Sequence, residues 1–257
     1  NNIPQRSQRE IKKQITILKR ESINPSFNED ISFVLNLKKH KENISEVDLM
    51  GVKVDYNEKM FFRDFGDFEI KMCVHRFVWL YDLLINDVSE EDLVSIKKLI
   101  FKWIENCHRL DLNVTQESYS IGERISSWLF FYAFSNQYIN FSKEEELVLI
   151  NSISSQLNFL IENIELQGRF TNNHILNNGK VFYLAGEFLK VKEWKKFGVH
   201  ICKSEFDKFF TDGFFREKSS HYQMIYAKNF MEMSMVSEFG EDKDLQIWLK
   251  SKTKSLL

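Results

Sequence analysis

The sequence predicts an all-α fold built of helical hairpins. Apolar residues recur at helical spacing through about six or seven consecutive stretches from residue 67 onward, joined by short polar connections. Only 9 Gly and 2 Pro occur in 257 residues, too little turn chemistry for a sandwich or barrel of many short strands. Hydrophobic residues make up 43%, with 24 Phe, 8 Tyr and 5 Trp, so the chain can bury a substantial core. Several stretches are apolar on more than one face, which implies a second ring or layer of packing. Such hairpins assemble as a bundle, a solenoid or a closed α/α barrel. No fixed-period repeat is visible, so a tetratricopeptide or HEAT array is not supported.

Taken in order, residues 1–20 are rich in Lys, Arg and Gln, with Ile11, Ile15 and Leu18 on one face. This reads as an exposed amphipathic helix or peripheral arm, ended by Pro25. Residues 31–65 are the least helical. Ile31–Leu37 reads as a short strand, and Val52, Val54 and Tyr56 alternate as one arm of a small hairpin. Residues 1–66 are therefore expected to form an arm and an irregular or β-hairpin segment packed on a helical domain of residues 67–257. Phe68–Ile85 carries Met72, His75, Trp79 and Leu83 in one stripe. Val88–Cys107 opens on Ser89, Glu90, Glu91 and Asp92, a capping signal. Ser120–Tyr138, Ser142–Ile164, Asn173–Leu189, Glu193–Phe210, Ser219–Phe239 and Asp244–Ser251 follow as helices.

The net charge is −2, with acids and bases interspersed, so there is no electrostatic footprint for nucleic acid or for an anionic membrane surface. No run is long enough for a membrane-spanning helix. There is no signal peptide, and the first residue is not Met, so the chain reads as processed, truncated or trimmed. Cys73, Cys107 and Cys202 are scattered, odd in number and outside any metal-ligand spacing. Neither a disulfide framework nor a metal site is expected, and the thiols fit a reducing compartment without excluding the periplasm.

The stretch with most chemistry is Phe170–Lys190. Thr171, Asn172, Asn173 and His174 precede or open a helix, where unpaired backbone N–H groups and the dipole suit an anion. Asn173 and Asn177 share one face, as do His174 and Asn178. The plainer reading is a helix cap followed by surface asparagines.

Four ordered segments resemble the N-terminal domain of the heparinase II/III-like polysaccharide lyases, which include oligoalginate lyases. They are Asp67–Leu84, DFEIKMCVHRFVWLYDLL; Tyr119–Trp128, YSIGERISSW; Asn172–Leu189, NNHILNNGKVFYLAGEFL; and Asp212–Ile225, DGFFREKSSHYQMI. Each is weak alone, but order and spacing match together. The resemblance implies an incomplete α/α toroid, followed in such lyases by a β-sandwich with the site in the cleft between. No part of this chain reads as that sandwich. The pattern departs at Gln223, where a His is expected, and at Ser220-His221, where a Pro-containing step is usual.

What the resemblance implies chemically is β-elimination in an acidic, uronate-containing polysaccharide. The uronate carboxylate must be neutralised, its C5 proton removed, and the departing glycosidic oxygen protonated. Asn173 and His174 are expected to neutralise the carboxylate. Tyr222 is expected to act as general acid, with a second role as base. Glu217 and Ser219 would orient Tyr222. Lys71 and Arg124 would bind carboxylate or sulfate, with His75, Arg76, Glu123, Asn177 and Asn178 as further substrate contacts. Trp128 and Trp79 would stack on sugar rings, although plain core packing is the simpler account of a Trp at helical spacing. His75 reads equally well as a satisfied core histidine. No cofactor is expected within the chain, and the oligomeric state is not legible. Two rival readings are a glycoside hydrolase using Glu123 and Glu217 and a non-catalytic carbohydrate-binding or polysaccharide-assembly module. A purely structural helical partner is a third.

Overall fold

The computed structural model describes the chain except for residues 1–2, 36, 38–43, 86–87, 165–173, 212–213 and 216–218. Among the described residues there are eleven α-helices and two small two-stranded sheets. No helix among the described residues is long and apolar enough to cross a membrane. The chain divides into two compact units, residues 1–31 with 159–257, and residues 32–158. The expected boundary between residues 66 and 67 falls inside the second of these.

In the first unit, α1 (Ile3–Leu18) buries Ile11 and Leu18 and packs on α9 (Lys192–Phe209), so it belongs to the core of the unit rather than to a peripheral arm. The backbone after it caps α8 (His174–Phe188). Ser26 N–H donates to Leu189 O at 3.1 Å and Asn28 N–H to Phe188 O at 2.7 Å, which satisfies carbonyls that a helix end leaves unpaired. Helices α8 and α9 form an antiparallel hairpin whose close approach is set by glycine. A Cβ on Gly186 would overlap the backbone of Lys195, and one on Gly198 would overlap Tyr183 and Gly179. Gly198→Ala is therefore expected to destabilise the protein by about 1–3 kcal/mol through overpacking, against the usual gain for Ala in a helix. Thermal unfolding checks this. Beyond a short pair of strands, β3 (Phe210–Thr211) and β4 (Phe214–Phe215), come α10 (Ser220–Ser237) and α11 (Lys243–Leu256). Gln246 ties the two helices together by donating to Ser237 O and Gly240 O, each at 2.8 Å.

The second unit opens with the expected hairpin, β1 (Glu46–Leu49) and β2 (Val52–Asp55). Its two-residue turn has Met50 and Gly51 both at positive φ, the conformation that matches strand twist. Residues 31–35 form no strand, contrary to the sequence reading. The expected helix Phe68–Ile85 is instead two, α2 (Phe68–Arg76) and α3 (Trp79–Ile85). Phe77 breaks it at φ 57, a costly conformation for a bulky residue. The break shifts the helical phase, so Leu80 and Leu84 are buried and Leu83 is not. The Phe77 ring is held by Phe61, Trp79, Trp103 and Trp128, with centroids 5.3 to 6.2 Å away, and this packing offsets the strain. Next comes α4 (Glu90–Asn106), with the predicted capping box between Ser89 and Asp92. A one-turn α5 (Leu112–Thr115), α6 (Ser118–Ser135) and α7 (Lys143–Glu162) complete the set.

Candidate functional site

In the first unit, three helices fix one another's direction. Gly179 of α8 lies against Ile201 and Cys202 of α9, and Gly186 against Lys195, so these two run antiparallel. Cys202 Sγ lies 3.8 Å from Met233 Sδ of α10, and the Phe206 and Phe230 rings are 4.9 Å apart, so α9 and α10 are antiparallel too. Helices α8 and α10 are therefore parallel. Their N-termini, each carrying about half a positive charge, point to the same end. An ion pair between Lys180 Nζ and Glu232 Oε2 at 3.0 Å sets their relative level. At about 1.5 Å per residue, His174 lies about 9 Å back from Lys180, and Tyr222 about 15 Å back from Glu232. Both side chains thus stand at the paired N-terminal ends.

His174 opens α8 and is half-buried, and Tyr222 lies in the first turn of α10, also half-buried. Ser219 caps α10, its Oγ accepting from Tyr222 N–H at 3.5 Å, and so fixes the backbone that carries the tyrosine. Asn177 and Asn178 are fully buried one turn into α8, rather than on its surface. Neither the amide oxygen nor the amide nitrogen of Asn178 has a hydrogen-bond partner among the described residues, a state that costs about 1–3 kcal/mol for a buried polar group. Asn173 and Glu217 lie outside the described residues. Lys180, also fully buried, was not anticipated. Its signal was available: it is a lone cation on a helix whose other residues are apolar, small or amide nearly all round.

The second unit holds the other expected contacts. At its surface Lys71 pairs with Asp111 at 2.8 Å. Arg76 stacks over the Tyr119 ring at 5.0 Å, donates to Ser120 Oγ at 3.1 Å, and lies near Glu69 and Glu117. Beneath them Arg124 is fully buried. Its Nε–H donates to Gln156 Oε1 at 2.7 Å, and its two terminal nitrogens donate to His75 O at 3.0 Å and Thr115 O at 2.6 Å. Its guanidinium lies 4.3 Å from the centroid of Trp103. Burial lowers its pKa to about 9, so it stays cationic at neutral pH. This arginine is therefore not an open fork for a substrate anion, which corrects the expectation from sequence. Trp79 and Trp128 are likewise buried in the aromatic cluster around Phe77, so neither offers a ring face to a sugar. Glu123 is buried as well.

His75 is the core histidine of the two readings. It is buried, and its Nδ1 accepts from Trp103 Nε1–H at 3.0 Å. The proton therefore sits on Nε2, toward the Phe61 backbone. Burial above all, aided by Arg124 and Lys71, lowers its pKa to about 3. The folded pKa is below the unfolded value near 6.5, so the neutral ring contributes stability that is fully present above about pH 6.5 and is lost toward pH 3. His75→Gln keeps an acceptor and a donor but does not titrate. Its unfolding free energy should fall less steeply with acid than the parent's, by about 1.4 kcal/mol per pH unit between pH 6 and 4. Denaturant titrations across that range measure the difference.

No group of three or more His, Cys, Asp or Glu suited to a metal occurs among the described residues.

The family described as heparinase II/III N-terminus matches residues 9–246. No curated protein matches the sequence. Among solved structures, the crystal structure of a mutant of heparan sulfate lyase HepC from Pedobacter heparinus superposes with a TM-score of 0.63 at 15% identity. The match covers 100% of this chain and 43% of that one. At that identity the likeness shows the fold, and the fold is the all-α class of incomplete α/α toroids expected from the sequence.

Proposed function

The chain belongs to the heparinase II/III N-terminus family, and on that premise we propose that it is the helical part of a lyase that cleaves a uronate-containing polysaccharide by β-elimination. The observation that carries this reading is the parallel arrangement of α8 and α10, which turns two helix N-termini, His174 and Tyr222 toward one end of the first unit.

The chemistry follows from those groups. A uronate carboxylate at the two N-termini meets two positive dipole ends. Asn173 and His174 share the negative charge that develops on the carboxylate as the C5–H bond breaks. The electrons of that bond form the C4–C5 double bond and expel the glycosidic oxygen. The Tyr222 oxygen takes the C5 proton as base and gives a proton to the departing glycosidic oxygen as acid. Asn178 is fully buried behind this end with both amide atoms unpartnered among the described residues, which leaves hydrogen-bonding capacity for an enclosed water. Ser219 holds the backbone at Tyr222, and Glu217 orients its side chain. On the second unit, taken by itself, Lys71 and the half-buried Arg76 are cations suited to carboxylate or sulfate groups.

The test is ultraviolet absorbance of the unsaturated uronate product, measured over a panel of acidic polysaccharides headed by heparan sulfate, the class named for the HepC relative. Absorbance that rises with time on one member supports the lyase. No rise on any member with the whole lyase that contains these helices, folded and at high concentration, sinks it.

A further inference from the structure

We infer that Lys180 and Glu232 form a buried bracket that holds α10 at one level against α8, which makes them positioning residues for His174 and Tyr222. The catalytic consequence rests on the lyase reading, but the bracket itself does not. Lys180 is fully buried and Glu232 nearly so. The carboxylate faces two ammonium groups, Lys180 Nζ at 3.0 Å and Lys228 Nζ at 3.1 Å, without hydrogen-bond alignment. A buried pair of this kind is a poor source of stability, because desolvating both charges offsets most of their attraction. Its best-attested use is to select one register over others.

The sequence around it fits that use. Lys228 lies one turn before Glu232, with its ammonium at the same carboxylate. A slide of α10 by one turn would set Lys228 opposite Lys180, two cations in a site closed to water, and so is disfavoured. The contacts between α10 and α9 do not discriminate as sharply. Cys202 meets Met233 through soft sulfur atoms, and Phe206 meets Phe230 through rings that tolerate sliding. On the N-terminal side of the bracket, Asn177 lies three residues before Lys180 and Asn229 three before Glu232, both buried. Beyond them come His174 and Tyr222. The ion pair therefore stands where polar helix faces lead toward the proposed site, and an error in level there is carried to both reacting groups.

The experiment replaces the pair by apolar groups of similar volume, Lys180→Met with Glu232→Leu. Lys228 is partly exposed, and its ammonium can turn to water. Three quantities are measured: the melting temperature, turnover on the polysaccharide, and the level of α10 in a crystal structure. The expected result is a melting temperature no lower than the parent's, a shift of α10 along its axis by about 1 Å or more, and kcat lower by about 100-fold with KM little changed. An α10 that keeps its contact with Cys202 at the parent's level would overturn the bracket, whatever the activity. Absence of turnover in the unaltered protein would sink the lyase reading instead, and the crystallographic comparison would still decide the bracket. Should the double variant not fold, Lys228→Glu decides, since it changes a partly exposed residue. It gives Lys180 a second acid one turn away, and α10 is expected to shift or to occupy two levels. A single unchanged level there would also overturn the proposal.

Discussion

Tyr222→Phe is expected to lower kcat on a uronate polysaccharide by about 100-fold to 10,000-fold, the usual contribution of a positioned general acid. KM should change little, because the lost hydroxyl acts in the transition state and the ring that occupies the site remains. The melting temperature should stay near the parent's. The ring is half-buried, and what places it is the Ser219 cap and the backbone of the first turn of α10, neither of which the substitution touches. The comparison that gives the result meaning is Glu123→Gln. Glu123 is the acid on which a hydrolase reading would rest, and it is buried in the second unit. Loss of turnover in Tyr222→Phe with the unsaturated product seen in the parent places the acid of a lyase. Turnover that survives Tyr222→Phe and fails in Glu123→Gln, with no unsaturated product, would move the protein to hydrolysis. Steady-state kinetics on the preferred polysaccharide, followed by absorbance and by reducing ends together, separates the two.

The helices were legible because their signals are local. Ser89 and Asp92 form the capping box that their spacing announces, and Ser142 with Glu145 does the same at the start of α7. The hairpin at Met50-Gly51 was readable in outline from the alternation of Val52 and Val54. The break at Phe77 was not, because nothing local favours a left-handed phenylalanine. Four aromatic rings from elsewhere in the second unit hold it there, and the resulting shift of phase exchanges Leu83 for Leu84. The site shows the same division. The N-terminal positions of His174 and Tyr222 follow from pattern and capping residues. Whether a polar residue faces ligand or core depends on partners far along the chain. His75 is settled by Trp103, and Arg124 by Gln156 and two distant carbonyls. Lys180 and Glu232 are fifty-two positions apart, and only the packing of α8 on α10 makes one the reason for the other.

Arg124→Met is expected to destabilise the second unit by about 3–5 kcal/mol, lowering the melting temperature by on the order of 10 °C. The side chain is fully buried, and no carboxylate forms an ion pair with it among the described residues. Its charge is balanced differently. Thr115 ends α5 and His75 is one residue from the end of α2, so both accepting carbonyls belong to helix C-termini, where the dipole is negative and the last C=O groups lack helical partners. The guanidinium thus satisfies two orphan carbonyls and Gln156 at once, and the Trp103 face beneath it adds a cation–π attraction. Methionine replaces the volume of the stem but leaves each acceptor buried and unpaired, at about 1–3 kcal/mol apiece. Arg124→Lys should recover little of this, because one ammonium cannot reproduce a planar fork that donates in three directions. Thermal and urea unfolding of the two variants measure the loss, and polysaccharide binding is measured on whatever remains folded. Retained stability with binding abolished would return Arg124 to the substrate. The expected pattern is the reverse, lost stability with binding per folded molecule little changed, since the guanidinium has its donors turned inward to α2, α5 and α7.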